Sequence, residues 1–359
     1  MTSPRTPRRR AGRRAPLLVA VLAAGVLGAG IGAVGERIVA PTHPTGPLPV
    51  AAADGTWTAM EPGPIFAPDS FWNAAVASSA PVDTDSADLV ARLVAQIRTH
   101  YGTVNINTTS DSAPVYVVSS RVRPVRVALR ACTGPTVDPA VAAQLARVPV
   151  PVGAVPAAGT DHDLIVWQPA SDREWEMWRA VDTDGHWSAC AGGELAPAST
   201  STGVFPAPAG LSASGLSVLG GLIRLSDLAG GRIDHVLDVA VPDTSAYPAL
   251  VAPADRTDGD SHAADAIPEG TRFRLAPDVD LASLHLSPVA LIVARALQTY
   301  GMVVNDTAGA VTFQAQDPTP LVEQGQLDPW SLAFGFAPSY DVLAGIPWGD
   351  MEALRPAAA

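Results

Sequence analysis

The densest group of residues able to do chemistry runs from Asp161 to Trp187. Read as a strand, residues 174–179 put Glu174, Glu176 and Trp178 on one face and Trp175 and Met177 on the other. Two carboxyls beside an indole suit cleavage of a glycosidic bond. One protonates the leaving oxygen, the other attacks or activates water, and the indole stacks on the sugar ring. Trp167 and Trp187 lie close enough in sequence to extend that platform. An amphipathic strand with solvated carboxylates and core tryptophans has the same pattern.

Asp161-His162-Asp163 precedes a strand-like run, and a histidine between carboxylates suits a general base or a metal ligand. A turn using Asp for local hydrogen bonds has the same spelling. His235, in Gly231-Arg232-Ile233-Asp234-His235, falls on an apolar strand face with Ile233 and Leu237. It reads either as a catalytic partner or as a hydrogen-bonded core residue. Arg272 and Arg274 flank Phe273 and face together, a geometry for clamping a carboxylate or uronate. Asp255, Asp258, Asp260 and Asp265 raise calcium as an optional cofactor, without the regular loop pattern that calcium sites of the EF-hand type show. Asp182-Thr183-Asp184-Gly185 is a weaker version of the same idea. The chain has no Gly-x-Ser-x-Gly elbow, no His-Glu-x-x-His and no phosphate-cradling Gly-Lys-Ser/Thr loop, and residues 57–359 have no Gly-x-Gly-x-x-Gly.

Several blocks resemble an uncharacterised family of exported bacterial proteins with relatives in fungi. They are Trp175-Glu176-Met177-Trp178, Leu219-Gly220-Gly221-Leu222-Ile223-Arg224, the Gly-Arg-Ile-Asp-His at 231–235, Gly270-Thr271-Arg272-Phe273-Arg274-Leu275 and Ala296-Leu297-Gln298-Thr299-Tyr300-Gly301. The resemblance spans residues 66–317 and implies export and, by association, a polysaccharide substrate. It supplies no activity. Members carry Asp-x-His ahead of the strand at 164–167, whereas this chain has Asp163 at the histidine position. That departure weakens a histidine mechanism there and moves weight to Glu176, His235 and Asp161.

The elements that must position these residues read as mainly β, a β-sandwich or distorted barrel with two or three peripheral α-helices. Strands are expected at 115–118, 125–129, 164–167, 174–179, 233–241, 271–275, 302–304 and 311–313. Helices are expected at 86–101, capped by Ser86 and stopped by Gly102, and at 288–300, opened by Pro288 and stopped by Gly301. The similar Tyr-Gly ends of the two helices read as a shared stop signal rather than a duplication. Residues 192–221 read as a long Gly/Ala/Ser/Pro-rich loop, with Gly220 and Gly221 allowing close backbone packing.

Three regions follow along the chain. Residues 1–37 hold a basic N-terminus and an uncharged apolar run at 15–35, the grammar of a cleaved signal or an uncleaved membrane anchor. Residues 38–56 are a Pro/Ala-rich linker, and residues 57–359 form a single β-rich extracytoplasmic domain. Residues 1–53 carry seven Arg against Glu36, a net +6, which leaves −18 of the formal −12 on the remainder. So acidic a body disfavours nucleic acid as a partner and confines membrane contact to the N-terminal segment. Cys132 and Cys190 are expected to pair in an oxidising compartment, with two buried thiols as the alternative.

The expectation for function is an extracytoplasmic glycoside hydrolase or polysaccharide lyase. Glu176, His235 and Asp161 would be catalytic, and Trp178, Arg274, Arg272 and Trp167 would hold substrate. The alternatives are a non-catalytic glycan- or wall-binding module and a structural protein of the cell envelope.

Overall fold

The computed structural model describes residues 56–58, 63–132 and 134–356. The expected N-terminal segment and nearly all of the linker lie outside the described residues. Among those described, no helix is long and apolar enough to cross a membrane.

The fold is mainly β. A five-stranded sheet runs in the order β1 (Trp57–Thr58), β3 (Val115–Val118), β5 (Leu164–Gln168), β6 (Arg173–Trp178) and β9 (Ala191–Leu195). A six-stranded sheet follows the order β14 (Met351–Ala353), β11 (Arg272–Leu275), β12 (Met302–Thr307), β10 (Leu237–Val241), β13 (Thr312–Gln314) and β2 (Asn105–Asn107). A third, small sheet joins β4 (Val127–Leu129), β8 (His186–Ala189) and β7 (Val181–Thr183). Both large sheets are mixed: β3 and β5 pair in parallel, as do β10 and β12. Of these, β3 and β10 are buried along their whole length, and they read as apolar runs rather than alternations.

Among the described residues, two helices exceed six residues. Helix α1 (Ser86–Thr99) buries Val90, Leu93 and Ile97, which its 3.6-residue period places on one side. The expected Ser86 cap takes another role: Ser86 is the first helical residue, and its hydroxyl accepts the Ala353 amide at 2.8 Å. The short helices are α2 (Pro139–Gln144), α3 (Val218–Gly221) and α4 (Leu225–Gly230). Helix α5 (Pro288–Thr299) starts on a Ser287 cap, whose side chain accepts the Ala290 amide. Helices α6 (Thr319–Val322) and α7 (Pro329–Ala333) complete the set. Gly102 and Gly301 both end a long helix at positive φ, donating to the Ile97 and Ala296 carbonyls. The two ends share the glycine stop but not its geometry: Tyr101 is itself at positive φ, whereas Tyr300 stays in the right-handed region.

Cys132 and Cys190, 58 positions apart, form a disulfide. The expected strand at 233–241 is shorter, since Ile233, Asp234 and His235 precede β10 as irregular backbone. Residues 192–221 are largely built into the body rather than a free loop. Residues 191–195 form β9, Val204 bridges Leu216, and the Arg256 guanidinium donates to the Phe205 and Ala209 carbonyls.

Candidate active site

Strands β5 and β6 run antiparallel, with Trp167 opposite Glu174 and Ile165 opposite Glu176. Alternation carries Asp163, one residue before β5, onto the face shared by Glu174, Glu176 and Trp178. The two glutamates thus share a face, as their spacing predicts, but that face is closed. Both are 0 % exposed.

The cover is the turn entering α3. Ser217 Oγ lies 2.8 Å from Oε1 of Glu174 and 2.8 Å from Oε1 of Glu176. The Leu219 amide donates to Glu176 Oε1 at 2.9 Å, and the Gly220 amide donates to Ser217 Oγ at 3.2 Å. A hydroxyl has one proton and donates to one carboxylate only. The two carboxyls also hydrogen-bond each other, so one of them carries a proton. Burial, and then the charge of Glu176, push Glu174 well above the usual carboxylate range. Burial also raises Glu176, but Glu174, the Leu219 amide and Ser217 oppose it. Glu174 is therefore the group that holds the proton, with Glu176 as its carboxylate partner.

A row of carboxyls continues from this pair. Asp238 on β10 lies within electrostatic reach of Glu176. Burial pushes it up to about 8, against the hydrogen bond from Asn305 Nδ2. Ser214 Oγ in turn donates to Asn305 Oδ1 at 2.5 Å. Asp163 is raised well above its range by burial, then by Asp161, Asp306 and Glu176. Burial lifts Asp306 to about 7, although it accepts the Ala213 amide at 3.0 Å. Glu269 is pushed up to about 9 by burial and by Asp306 and Asp258. The row reaches solvent at the exposed Asp258 and the half-buried Asp161, whose carboxylate accepts Trp178 Nε1 at 3.0 Å. The Arg179 guanidinium lies 4.3 Å over the Trp178 ring.

The other expected site residues have different surroundings. Trp167 is half-buried opposite Glu174, at the far end of the strand pair from Trp178. His235 Nδ1 lies 2.8 Å from the Val236 carbonyl and Nε2 lies 3.2 Å from Asp227 Oδ2. Asp227 is held below the usual range despite its burial, because His235 and Arg224 favour its charge. Arg224 is also in electrostatic reach of Glu174, so His235 meets the row through Asp227 and Arg224. Arg272 donates to the Ala74 and Tyr300 carbonyls, and burial lowers it to about 10. Arg274 pairs with Glu352 at 2.7 Å and donates to the Ala77 and Ser78 carbonyls. Both arginines fasten residues 74–78 to β11.

In the acidic loop the carboxylates diverge. Asp255 accepts the Ala207 amide and pairs with Arg256, Asp258 accepts the Thr307 hydroxyl, and Asp265 lies 3.9 Å from Arg92. Asp182 accepts the Gly185 amide within a turn. Among the described residues, no group of three or more His, Cys, Asp or Glu side chains is arranged to hold a metal ion. Two surface pockets, of about 260 Å³ beside Trp330 and about 720 Å³ along α1, include no residue of the carboxyl row.

Comparison with family models, curated proteins and solved structures finds no match. The geometry alone carries the functional reading.

Sequence reasoning missed Ser214, Ser217, Asp238, Glu269, Asn305 and Asp306 as members of this group. A signal was available for three of them. Asp238 interrupts Leu237-Asp238-Val239-Ala240-Val241, and Asn305-Asp306 follows Met302-Val303-Val304, each a polar side chain inside a run that reads as buried strand. Ser217 and Ser214 sit in a Gly/Ser-rich stretch that conceals them.

Proposed function

We propose that the chain is an extracytoplasmic carbohydrate-active enzyme, a glycoside hydrolase or polysaccharide lyase, with its acid–base groups at the open end of the carboxyl row. One observation carries this reading. At the end of β6, Asp161 is bound to the Trp178 indole and lies within electrostatic reach of Asp163 and Asp306, two carboxyls that burial keeps protonated toward neutral pH. Such a carboxyl is the group needed to protonate a glycosidic oxygen. Asp161 supplies the second carboxyl, beside the Trp178 indole that it accepts from. Glu176 is enclosed and acts as a positioning residue through Ser217 and Leu219, not as a group touching substrate. The disulfide and the N-terminal grammar support an oxidising, extracytoplasmic setting.

The test is product release by the full chain from neutral, amino and uronic polysaccharides. Reducing ends or unsaturated products are expected from the wild type. Asp306→Asn and Asp161→Asn should each lower kcat about 10²–10⁴-fold while thermal melting stays close to wild type. Full activity in both variants, or no product from any polysaccharide, would sink the reading. Retained binding without product would instead favour a glycan-binding module.

A further inference from the structure

Outside the carboxyl row, a pocket of about 260 Å³ is lined by α7, the chain after it and Thr108, the residue following β2. Trp330 and Phe334 make its apolar wall, with ring centroids 5.6 Å apart and planes inclined by 44°. The Trp330 indole is buried and donates to the Gln316 carbonyl at 2.8 Å, which holds the wall in place. Phe336 stands at the rim, 79 % exposed. Its φ of 63° is left-handed, a backbone conformation that is costly for a bulky residue. The chain thus keeps an aromatic ring in water at the pocket mouth against its local preference.

Most of the remaining lining is polar. The Thr108 and Ser339 hydroxyls have no hydrogen-bond partner among the described residues. Ser331 Oγ donates to Asp328 Oδ2 at 2.6 Å and keeps its lone pairs for a donor. Asp328 also accepts the Trp330 amide at 2.9 Å, so its charge is engaged in capping α7. No Arg or His is among the described residues that line the pocket. An anionic ligand would therefore meet Asp328 with no cation to receive it. A wholly apolar ligand would cover the hydroxyls and leave them without partners, which is unfavourable. A pyranose presents a C–H face to the rings and an edge of hydroxyls that both donate and accept.

We infer that this pocket binds one pyranose unit of a neutral glycan, as a holding site separate from the acid–base groups. The choice of a glycan rests on the reading above, while the site rests on its own lining. Holding one unit of a polymer here raises the local concentration of the rest of that polymer around the protein.

The test uses the full chain carrying Asp161→Asn, so that no oligomer is cleaved. Hexasaccharides of glucose, mannose, galactose and xylose are titrated by calorimetry, with a hexamer of glucuronic acid beside them. At least one neutral hexamer should bind, and hydrogen exchange at residues 331–340 should slow when it does. Adding Phe336→Ala should weaken that binding about tenfold and abolish the slowing. Thr108→Val, which removes a hydroxyl at nearly constant shape, carries the same test should Phe336→Ala fail to fold. Binding without protection of residues 331–340 overturns this inference alone, as does unchanged affinity in a folded variant. Equal or tighter binding of the glucuronic hexamer at those residues overturns the neutral class. Failure of every neutral hexamer to bind overturns the inference, and the wild type's failure to cleave any polysaccharide removes the underlying reading as well.

Discussion

Asp238 and Glu174 hold protons in the folded protein that the unfolded chain releases, because burial raises both above ordinary carboxylates. The sign follows directly. An unfolded aspartate titrates near 3.8 and folded Asp238 at about 8, so the stability its proton confers is complete below about pH 4. It is lost as pH rises through that window, by up to about 1.4 kcal/mol per pH unit. Denaturant midpoints should therefore fall from pH 5 to pH 8, and Asp238→Asn should flatten the decline. A wild-type midpoint that rises over that range would contradict the assignment. At this scale the sequence was legible for type and face, since Glu174, Glu176 and Trp178 do share one side of β6. It was not legible for exposure. Two carboxylates on a strand read as solvated because the turn that covers them comes from residues 217–219, about forty positions away.

Helix α3 is four residues long, Val218–Gly221, and nothing in its local preferences favours a helix. It forms because Ser217 caps it by accepting the Gly220 amide, and because it is wedged between Trp72 and β10. A Cβ on Gly221 would lie 2.6 Å from the Asp238 amide nitrogen and 2.6 Å from the Trp72 ring, and one on Gly220 would lie 2.6 Å from that ring. Gly221→Ala should then cost about 1–3 kcal/mol in urea denaturation, because backbone on one side and a buried indole on the other leave no room to yield. An unchanged midpoint would remove the wedge from the account. The close approach was legible in the paired glycines, and the long helices were legible in their periodicity and their Gly stops. The strands β2, β7, β8, β9 and β14 were not. Each has three to five residues, and β9 contains Gly192 and Gly193, so pairing partners rather than local pattern define them.

At the level of the whole molecule, the disulfide joins the strand pair β6–β9 to the segment just after β4, across 58 residues. Closing a loop of that length restricts the unfolded chain, and replacing both cysteines by serine should cost about 2–4 kcal/mol. Guanidinium titrations with and without reductant check this, and wild type should drop to the double variant only when reduced. The pairing was legible from the count of two cysteines and the export grammar. The assembly of two mixed sheets was not, since parallel partners such as β10 and β12 lie more than sixty residues apart and leave no local trace. The second large sheet ends in β14, which pairs antiparallel with β11 from Leu275↔Met351 to Phe273↔Ala353. These three residues shield the amides and carbonyls of β11, three of whose four residues are buried. A chain cut before Met351 would present that row of unpaired backbone groups to other molecules as a template for strand addition and aggregation.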